Sequence, residues 1–244
     1  MMNGAASKNG QLNQQEAQSL NEDLQAQQQK TIEQISSAKT TMDLLKLSNS
    51  KPVKEEVGSK SFNSLILQQL SQESKEADGE FLFMAPQQFS IPMSVPMKLV
   101  LGPNGQVDGE VARLQGLLDQ CANDDLSRMD ELRGQLLKRL SEVYGQTDQE
   151  IDEIAKYVQE QISQQVKGDE VQQNLNDCLL AVRSSSTLED LDKMAGAGLF
   201  DSILNVKLSD RSQMKKAITE VWLSLFNKRA IISRKQNGIA SCRA

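Results

Sequence analysis

An apolar run that ends in an arginine and a serine-rich turn constrains this chain more than any other feature. Leu179-Leu-Ala-Val182 has the length of a short buried strand, and Arg183 and three serines follow it directly. A second segment, Met194–Val206, carries Gly196 and Gly198 and ends in another apolar run. Short apolar runs bounded by turn residues are typical of strands. The pattern predicts a strand, a glycine-containing loop and a second strand.

These residue types are suited to holding a polyphosphate. Arginine presents a planar fork of donors that matches phosphate oxygens, so Arg183 is a candidate phosphate ligand. Gly196 and Gly198 would let the backbone approach those oxygens closely. Two simpler interpretations stay open. The loop could be a turn that binds nothing, and Arg183 could form an ion pair with Glu189 or Asp190.

Composition excludes several classes of function. The 244 residues suffice for one domain with a core, or for a domain and a tail. A net charge of -6 argues against a nucleic-acid binder held by bulk charge, although a nucleotide site needs only two or three local cations. The chain has no histidine, which excludes Ser-His, Cys-His and His-metal chemistry within it. Cys121, Cys178 and Cys242 have no zinc-site spacing, and we expect no metal ligands among the residues of this chain.

The sequence carries no recognisable targeting or membrane segment. Its start lacks the basic and apolar regions of a secretory signal. Its first arginine is Arg113, and its early acidic residues argue against a transit peptide. No apolar run approaches the length of a membrane span. We therefore expect a cytoplasmic protein that binds neither membrane nor nucleic acid.

Composition changes along the chain predict three parts. Residues 1–50 are rich in Gln, Asn and Ser and predict a disordered arm, with weak helical character near Leu20–Ile35. Residues 51–239 are expected to form the folded domain, and residues 240–244 a tail. Within the domain, Val57–Asn63 predicts a turn that opens a helix over Ser64–Leu70. Prolines restrict the apolar segments Phe81–Met84 and Phe89–Pro96 to short edge strands.

Helical periodicity dominates the rest of the domain. Apolar residues recur at helical spacing through residues 108–166 and predict three amphipathic helices, the third opened by a capping box of Thr147 and Glu150. Residues 210–235 predict a final helix. Its apolar side carries Trp222 and Phe226, which we expect in the core rather than stacked on a base. Four basic residues at its end are consistent with a solvated helix terminus: Lys228, Arg229, Arg234 and Lys235.

Three motifs, in order, resemble those of the dikinases that include pyruvate phosphate dikinase and phosphoenolpyruvate synthase. Val57-Gly-Ser-Lys-Ser-Phe-Asn63 is similar to the family's Val-Gly-Ala-Lys-Ser-x-Asn. Val182-Arg-Ser-Ser-Ser-Thr-Leu-Glu-Asp-Leu191 resembles Val-Arg-Ser-Ser-Ala-x-x-Glu-Asp-Leu. Val221–Arg234 is similar to Val-Trp-Ala-Ser-Leu-Tyr-Thr-x-Arg-Ala-Val-Leu-Ser-Arg. Ile91–Pro96 and Met194–Ile203 most resemble the glucan and phosphoglucan, water dikinases, which phosphorylate starch.

The resemblance implies a fold and a ligand. The fold is α/β (mixed α+β): the N-terminal part of an ATP-grasp-type nucleotide-binding domain with a large helical segment. The implied cofactors are ATP and Mg²⁺, with the Mg²⁺ ligands expected downstream of this chain. In the family a lysine and an arginine contact the phosphates, here Lys60 and Arg183. Lys60 alone would otherwise be interpreted as a solvated lysine, and Arg229 could be structural or near the nucleotide.

The remaining ATP-binding residues implied by the resemblance surround Arg183. They are Ser184, Glu189, Gly196 and Gly198. Glu189, together with Asp190, could orient the Arg183 guanidinium, help to hold magnesium or cap the next turn. No catalytic residue is expected within the chain.

Departures from the family restrict the predicted function. Dikinases pass a phosphoryl group from ATP to a histidine on a separate domain and then to an acceptor, yet this chain has no histidine and lacks the second half of the ATP-grasp fold. We therefore expect ATP binding without activity in isolation, with an α-glucan acceptor implied by the family only. Alternatives are a pyruvate-type dikinase fragment and a non-catalytic helical interaction protein with relic motifs. Half a sheet would leave an open edge and predicts marginal stability or self-association.

Overall fold

The computed structural model describes residues 26, 29–74, 83, 85–101, 106–165, 175, 177–186, 190–191, 194–195 and 198–239. Across these residues the fold is mixed α+β and mostly helical, with two small antiparallel sheets. This confirms the predicted fold class. None of the helices in these ranges is both long and apolar enough to cross a membrane.

The helices of the first two thirds are α1 (residues 29–37), α2 (Thr41–Ser50), α3 (Lys54–Glu73), α4 (Ser94–Leu101), α5 (Gly109–Gln120), α6 (Leu126–Tyr144) and α7 (Asp148–Gln165). The strands are β1 (Leu179–Arg183), β2 (Asp190–Leu191), β3 (Met194–Ala195) and β4 (Ser202–Lys207). Helix α8 (Arg211–Leu223), a 3₁₀ turn (Ser224–Phe226) and α9 (Lys228–Gln236) complete the described chain.

Residues 29–50 differ from the disordered arm that the sequence predicts. They form α1 and α2, and Ile35, Leu44 and Leu45 are no more than 2% exposed. The Thr40 hydroxyl caps α2, and the Met42 N–H donates to the Glu153 carboxylate of α7 at 2.7 Å. Few apolar residues are present here, but most of them pack in or against the core. Burial against α7 supplies the stability that the local composition lacks. The predicted bounds of the folded domain, 51–239, and of the tail, 240–244, stay predictions.

The three predicted amphipathic helices are confirmed as α5, α6 and α7. Asp108 caps α5 by accepting from the N–H groups of Glu110 and Val111, and Asp125 caps α6 in the same way. The start of α7 differs from the predicted capping box. The Thr147 hydroxyl is buried and donates to the Tyr144 carbonyl at 2.8 Å. This hydroxyl therefore stabilises the turn between α6 and α7.

The strand predicted over Phe89–Pro96 is not formed. Residues 85–92 are irregular, and α4 begins at Ser94. Pro96 lies in the first turn of α4, where a missing N–H costs no helical hydrogen bond. Glu56 holds this start, because its backbone carbonyl accepts from Met93 N–H at 2.8 Å. Of the other predicted strand, only Phe83 is among the described residues, and it is irregular too.

The predicted pair of strands around the loop is confirmed. Strands β1 and β4 pair antiparallel, with Leu180 opposite Val206 and Arg183 opposite Ser202, and a bulge interrupts the register between Leu180 and Val182. The short hairpin of β2 and β3 lies between them in sequence. Val206 is fully buried and turned toward the helical core. This arrangement holds Arg183 at the end of a supported strand.

The final helix is broken rather than continuous. Helix α8 ends at Leu223, and α9 starts after Asn227. The break turns the chain around Asp201: the Asp201 N–H donates to the Ser224 hydroxyl at 3.2 Å, and the Asn227 amide donates to the Asp201 carboxylate at 3.1 Å. Trp222 and Phe226 are 8% and 5% exposed, which confirms their predicted place in the core. The segment before β4 is thus fixed to the C-terminal helices.

Candidate functional site

A sharp kink within α3 begins the site. Gly58 has φ 74° and ψ 161°, so the helix is interrupted there and restarts immediately afterwards. This conformation is almost confined to glycine because a Cβ atom makes it strained. Lys60 lies in the first turn of the restarted helix and is exposed. The first N–H groups of a helix have no intrahelical acceptor, which makes such a turn suited to anions.

The kink contacts the serine-rich turn that follows β1. The Ser61 N–H donates to the Ser185 hydroxyl at 2.9 Å, across 124 residues of sequence. The backbones of Gly58 and Ser185 also pack tightly against each other. A Cβ atom built on Gly58 would lie 2.3 Å from the Ser185 carbonyl oxygen, so there is no room for a side chain at position 58. The structure therefore brings together the two segments that carry Lys60 and Arg183.

Arg183 occupies the last position of β1 and is exposed, whereas its neighbour Val182 packs against the core. Among the residues that the structure describes, none forms an ion pair or hydrogen bond with the Arg183 guanidinium. Glu189, one of the two predicted ion-pair partners, lies outside the described residues, and only the backbone of Asp190 is described. The guanidinium thus points to solvent at the strand end, where an anion could reach it.

A cavity of about 440 Å³ opens beside these segments. Ser61, Arg183, Ser184 and Ser185 line it on one side. Its other walls are mainly apolar and come from α7, α8, the 3₁₀ turn and the irregular segment before α4: Phe89, Ile91, Met93, Ile154, Tyr157, Val158, Met214, Ile218, Val221, Trp222 and Leu225. Its volume falls in the range of about 300–1,000 Å³ that is typical of small-molecule pockets. Apolar walls with a few polar groups at one side suit a ligand that has an apolar part and a charged part.

Two aromatic contacts stiffen the cavity wall. Phe89 and Tyr157 meet edge to face, with ring centroids 5.9 Å apart. Burial raises the pKa of Tyr157, so its phenol stays neutral. Trp222 packs on Tyr144 with centroids 5.2 Å apart. These rings belong to the core as well as to the wall, so the cavity is bounded by rigid side chains.

The glycine-containing loop is described only in part. Gly198 has φ 75°, and no atom of the described residues lies within 4 Å of a Cβ built on it, so these residues leave the backbone open to approach there. Gly196 lies outside the described residues, as Glu189 does. Whether Glu189, Gly196 and Gly198 meet the site therefore stays a prediction. Of the six predicted ligands, Arg183 and Ser184 line the cavity, and Lys60 lies next to Ser61, which also lines it.

Two of the basic residues at the C-terminal end, Arg234 and Lys235, are less exposed than predicted. Arg234 is 1% exposed, donates to the Leu225 carbonyl at 2.6 Å and lies 5.6 Å from the centroid of the Phe226 ring. Burial lowers the pKa of Arg234 to about 10. The spacing of Arg234 from the buried Ala230 and Ile231 places all three on one helix face, a signal that the sequence already contained.

Lys235 is equally engaged. Its ammonium donates to the backbone carbonyls of Leu118, Asp119 and Cys121, at 2.8, 3.0 and 2.8 Å. These carbonyls end α5, where a positive charge is favoured. Neither Arg234 nor Lys235 lines the cavity. Arg234 and Lys235, two of the four basic residues at the C-terminal end, therefore have structural roles.

Metal ligands are a separate question from phosphate ligands. Within the described ranges, no group of three or more His, Cys, Asp or Glu side chains could hold a metal ion. The prediction that Mg²⁺ ligands come from outside this chain is untested. On the side that carries Arg183, the cavity is lined by one guanidinium and by serine hydroxyls, which suit phosphate oxygens rather than a metal.

Comparison with known proteins agrees with the motifs. Residues 21–243 match the family model described as pyruvate phosphate dikinase, AMP/ATP-binding domain. The chain is 47% identical over 58 residues to the rifampicin phosphotransferases of Bacillus subtilis and Bacillus cereus, and 44% identical over 59 residues to that of Streptomyces sviceus. Each alignment covers 24% of this chain but only 6% or 7% of the relative, so the chain matches a small part of these proteins. No solved structure matches.

Proposed function

Because this chain belongs to the family of pyruvate phosphate dikinase AMP/ATP-binding domains, we propose that it binds the phosphates of ATP where the Gly58 kink meets the end of β1. The observation that carries this proposal is the Ser61–Ser185 hydrogen bond, which joins the two motif segments at one side of the cavity. Lys60 and Arg183 are the proposed phosphate ligands, and Ser184 lies beside them. The family membership establishes an ATP-binding dikinase-type domain, and the assignment of residues is the proposal.

The proposed chemistry is electrostatic. Transfer of a phosphoryl group spreads negative charge over phosphate oxygens, and fixed cations stabilise that charge. Arg183 offers a planar fork at the strand end, and Lys60 a point charge at the start of a helix. The helix that restarts after Gly58 also turns its N-terminus toward the same region, and the dipole of a helix favours an anion at that end. The apolar cavity offers space for the uncharged part of the nucleotide.

Magnesium and the acceptor complete the proposal. ATP would bring Mg²⁺, which neutralises phosphate charge when bound, and we propose that its protein ligands come from residues outside this chain. We propose an α-glucan as the acceptor class, because the sequence of Met194–Ile203 most resembles the glucan and phosphoglucan, water dikinases. A pyruvate-type dikinase is the alternative. The relatives named above are rifampicin phosphotransferases, so rifampicin should be tested as an acceptor as well.

We further propose that the chain does not transfer phosphate on its own, because it has no histidine to carry the phosphoryl group. The isolated chain would be incubated with MgATP that carries a radioactive β-phosphate and with amylopectin, pyruvate or rifampicin. We expect no labelled product from any acceptor. Label on one of them would contradict this part of the proposal and would identify the acceptor.

Binding is the direct test of the site. Isothermal titration with MgATP would compare the wild-type chain with Lys60→Ala and Arg183→Ala. Loss of one charge-assisted contact costs about 1–3 kcal/mol, which is about 5- to 150-fold in affinity. The control is Arg113→Ala, because the exposed Arg113 guanidinium pairs, among the described residues, only with Glu110 on α5 and does not line the cavity.

The outcomes separate the hypotheses. Unchanged affinity in Arg183→Ala would show that the phosphate assignment is wrong. A folded wild-type chain that does not bind MgATP would favour the second candidate, an interaction protein that keeps relic nucleotide motifs. Its support is the large exposed apolar side chains Leu67 and Leu70 on α3, which are 51% and 47% exposed.

Self-association and compartment are the remaining proposals. Leu179 and Leu204 on β1 and β4 are 55% and 64% exposed, and within the described residues these two strands pair only with each other. Open strand edges with apolar side chains favour pairing between chains. We propose concentration-dependent self-association, which sedimentation velocity would detect.

Cys121 and Cys178 are free thiols, which suits a reducing compartment such as the cytoplasm.

A further inference from the structure

Ser185 contacts the first motif through both its side chain and its backbone. The hydroxyl accepts a hydrogen bond from the Ser61 N–H at 2.9 Å. The carbonyl oxygen of Ser185 fits against Gly58 so closely that a Cβ built there would be 2.3 Å away. Its hydroxyl oxygen would be 2.6 Å from the same Cβ. The serine therefore touches both the kink and the helix turn that the kink begins.

The hydrogen bond replaces one that the helix cannot make for itself. The helix is interrupted at Gly58, so the Ser61 N–H is among the first of the restarted helix and has no intrahelical acceptor. Such groups are usually satisfied by a serine, threonine or aspartate next to them in sequence. Here the acceptor comes from 124 residues away. Ser185 thus acts as an N-terminal cap supplied by another part of the chain.

The other backbone group of Ser61 is held as well. The Gln88 side-chain amide donates to the Ser61 carbonyl at 3.0 Å, and the Gln88 backbone N–H donates to the Gln68 side chain at 3.0 Å. The turn is thereby fixed between the serine-rich segment on one side and the irregular segment before α4 on the other. Ser185 is the member of this arrangement that reaches back to the strand bearing Arg183.

The chain of contacts joins the two proposed phosphate ligands. Lys60 precedes Ser61, Ser61 is bonded to Ser185, and Ser185 lies two residues after Arg183. We propose that Ser185 is a positioning residue of the nucleotide site, whose hydroxyl fixes the kinked turn so that Lys60 and Arg183 engage one polyphosphate together. This inference rests on the proposed function. Without the hydroxyl the turn can rotate, and the two cations contribute separately.

The test combines affinity with coupling. Isothermal titration with MgATP, and with inorganic pyrophosphate as a probe of the phosphate subsite alone, would compare the wild-type chain with Ser185→Ala and Ser185→Thr. We expect Ser185→Ala to weaken both ligands by about 3- to 10-fold, the equivalent of one hydrogen bond. Ser185→Thr keeps the hydroxyl and should stay within about twofold of the wild type.

A double-mutant cycle with Lys60→Ala distinguishes positioning from a general loss of structure. If Ser185 acts through Lys60, the double variant should bind MgATP no more than about twofold more weakly than Lys60→Ala alone. Ser71→Ala is the matched control, because the Ser71 hydroxyl also joins distant backbone, donating to the Phe83 carbonyl and accepting from the Ala85 N–H. It should lower the melting temperature without changing the affinity for MgATP.

Each outcome decides between distinct statements. If the wild-type chain does not bind MgATP, the proposed function fails and this inference fails with it. If the wild-type chain binds while folded Ser185→Ala binds equally well, or if the two substitutions multiply fully, only the positioning role is overturned. If Ser185→Ala does not fold, Ser185→Thr decides, since a folded threonine variant that has lost affinity contradicts the role of the hydroxyl.

Discussion

Replacement of Gly58 by alanine should be among the most damaging single-methyl additions in this chain. Gly58 has φ 74° and ψ 161°, a region that residues with a Cβ atom rarely enter. The new methyl group would also lie 2.3 Å from the carbonyl oxygen of Ser185 and 2.5 Å from its carbonyl carbon. Both of these neighbours are backbone atoms, which cannot rotate away as the end of a side chain can.

The size of the effect follows from these two causes. Holding a residue with a Cβ in such a conformation costs on the order of 1–3 kcal/mol. Forcing a methyl group into a filled contact adds about 1–3 kcal/mol. We therefore expect Gly58→Ala to lower the free energy of unfolding by about 2–6 kcal/mol, a large share of the 5–15 kcal/mol typical of a domain. Affinity for MgATP should fall as well, because the methyl group separates the two proposed phosphate-binding segments.

Urea unfolding followed by fluorescence gives the measurement. Trp222 is the single tryptophan and is buried beside the cavity, so its emission reports unfolding of this part of the core. The matched control is Gly198→Ala. Gly198 also has positive φ, at 75°, but in the described part of the chain no atom lies within 4 Å of its built Cβ. It should show only the conformational part of the cost, about 1–2 kcal/mol.

The two variants should lose different amounts of free energy of unfolding, because only the methyl group added at Gly58 would meet Ser185. If Gly58→Ala and Gly198→Ala lose the same free energy of unfolding, the close approach of Ser185 contributes nothing. If Gly58→Ala stays within about 1 kcal/mol of the wild type, the kink itself is not a constrained conformation. Equal denaturant slopes for the variants would confirm that stability, rather than the unfolded state, has changed.

Three further predictions concern the supporting structure. Asp108 caps α5 and pairs with Arg139 at 2.6 Å, and the hydrogen bond from Arg139 is the main cause that lowers its pKa from 3.8 to about 2. A lowered carboxyl pKa contributes stability that is present above about pH 4 and lost as the pH falls through 2, so Asp108→Asn should flatten acid unfolding in that window. Lys235→Met removes the donor to three backbone carbonyls and should cost about 1–3 kcal/mol in urea unfolding, against less than about 0.5 kcal/mol for the exposed control Lys216→Met. Leu136→Ala empties a fully buried position of α6 and should cost about 2–5 kcal/mol in the same assay. A loss below 1 kcal/mol there would contradict the packing described for α6.

Some of the fold could be predicted because its signal is local. The three helices between residues 109 and 165 follow from the helical spacing of their apolar residues. The caps of the first two, Asp108 and Asp125, became evident only in the structure. Strands β1 and β4 follow from short apolar runs on either side of a glycine-containing segment. Where the local signal is weak, the prediction differed from the structure. Residues 29–50 look too polar to fold, yet burial of Ile35, Leu44 and Leu45 orders them.

The sequence by itself determined the class of fold and the residue types at the site, because helical periodicity, apolar runs and motif order are written in neighbouring positions. The residue types alone made Arg183 a candidate phosphate ligand, and the resemblance of Val57–Asn63 to the dikinase motif added Lys60. The tertiary structure decided how those segments meet: Ser185 caps the helix that restarts at Gly58, and a cavity lies beside them. A contact across 124 residues depends on how all the intervening helices pack, and no pattern of neighbouring residues specifies that arrangement.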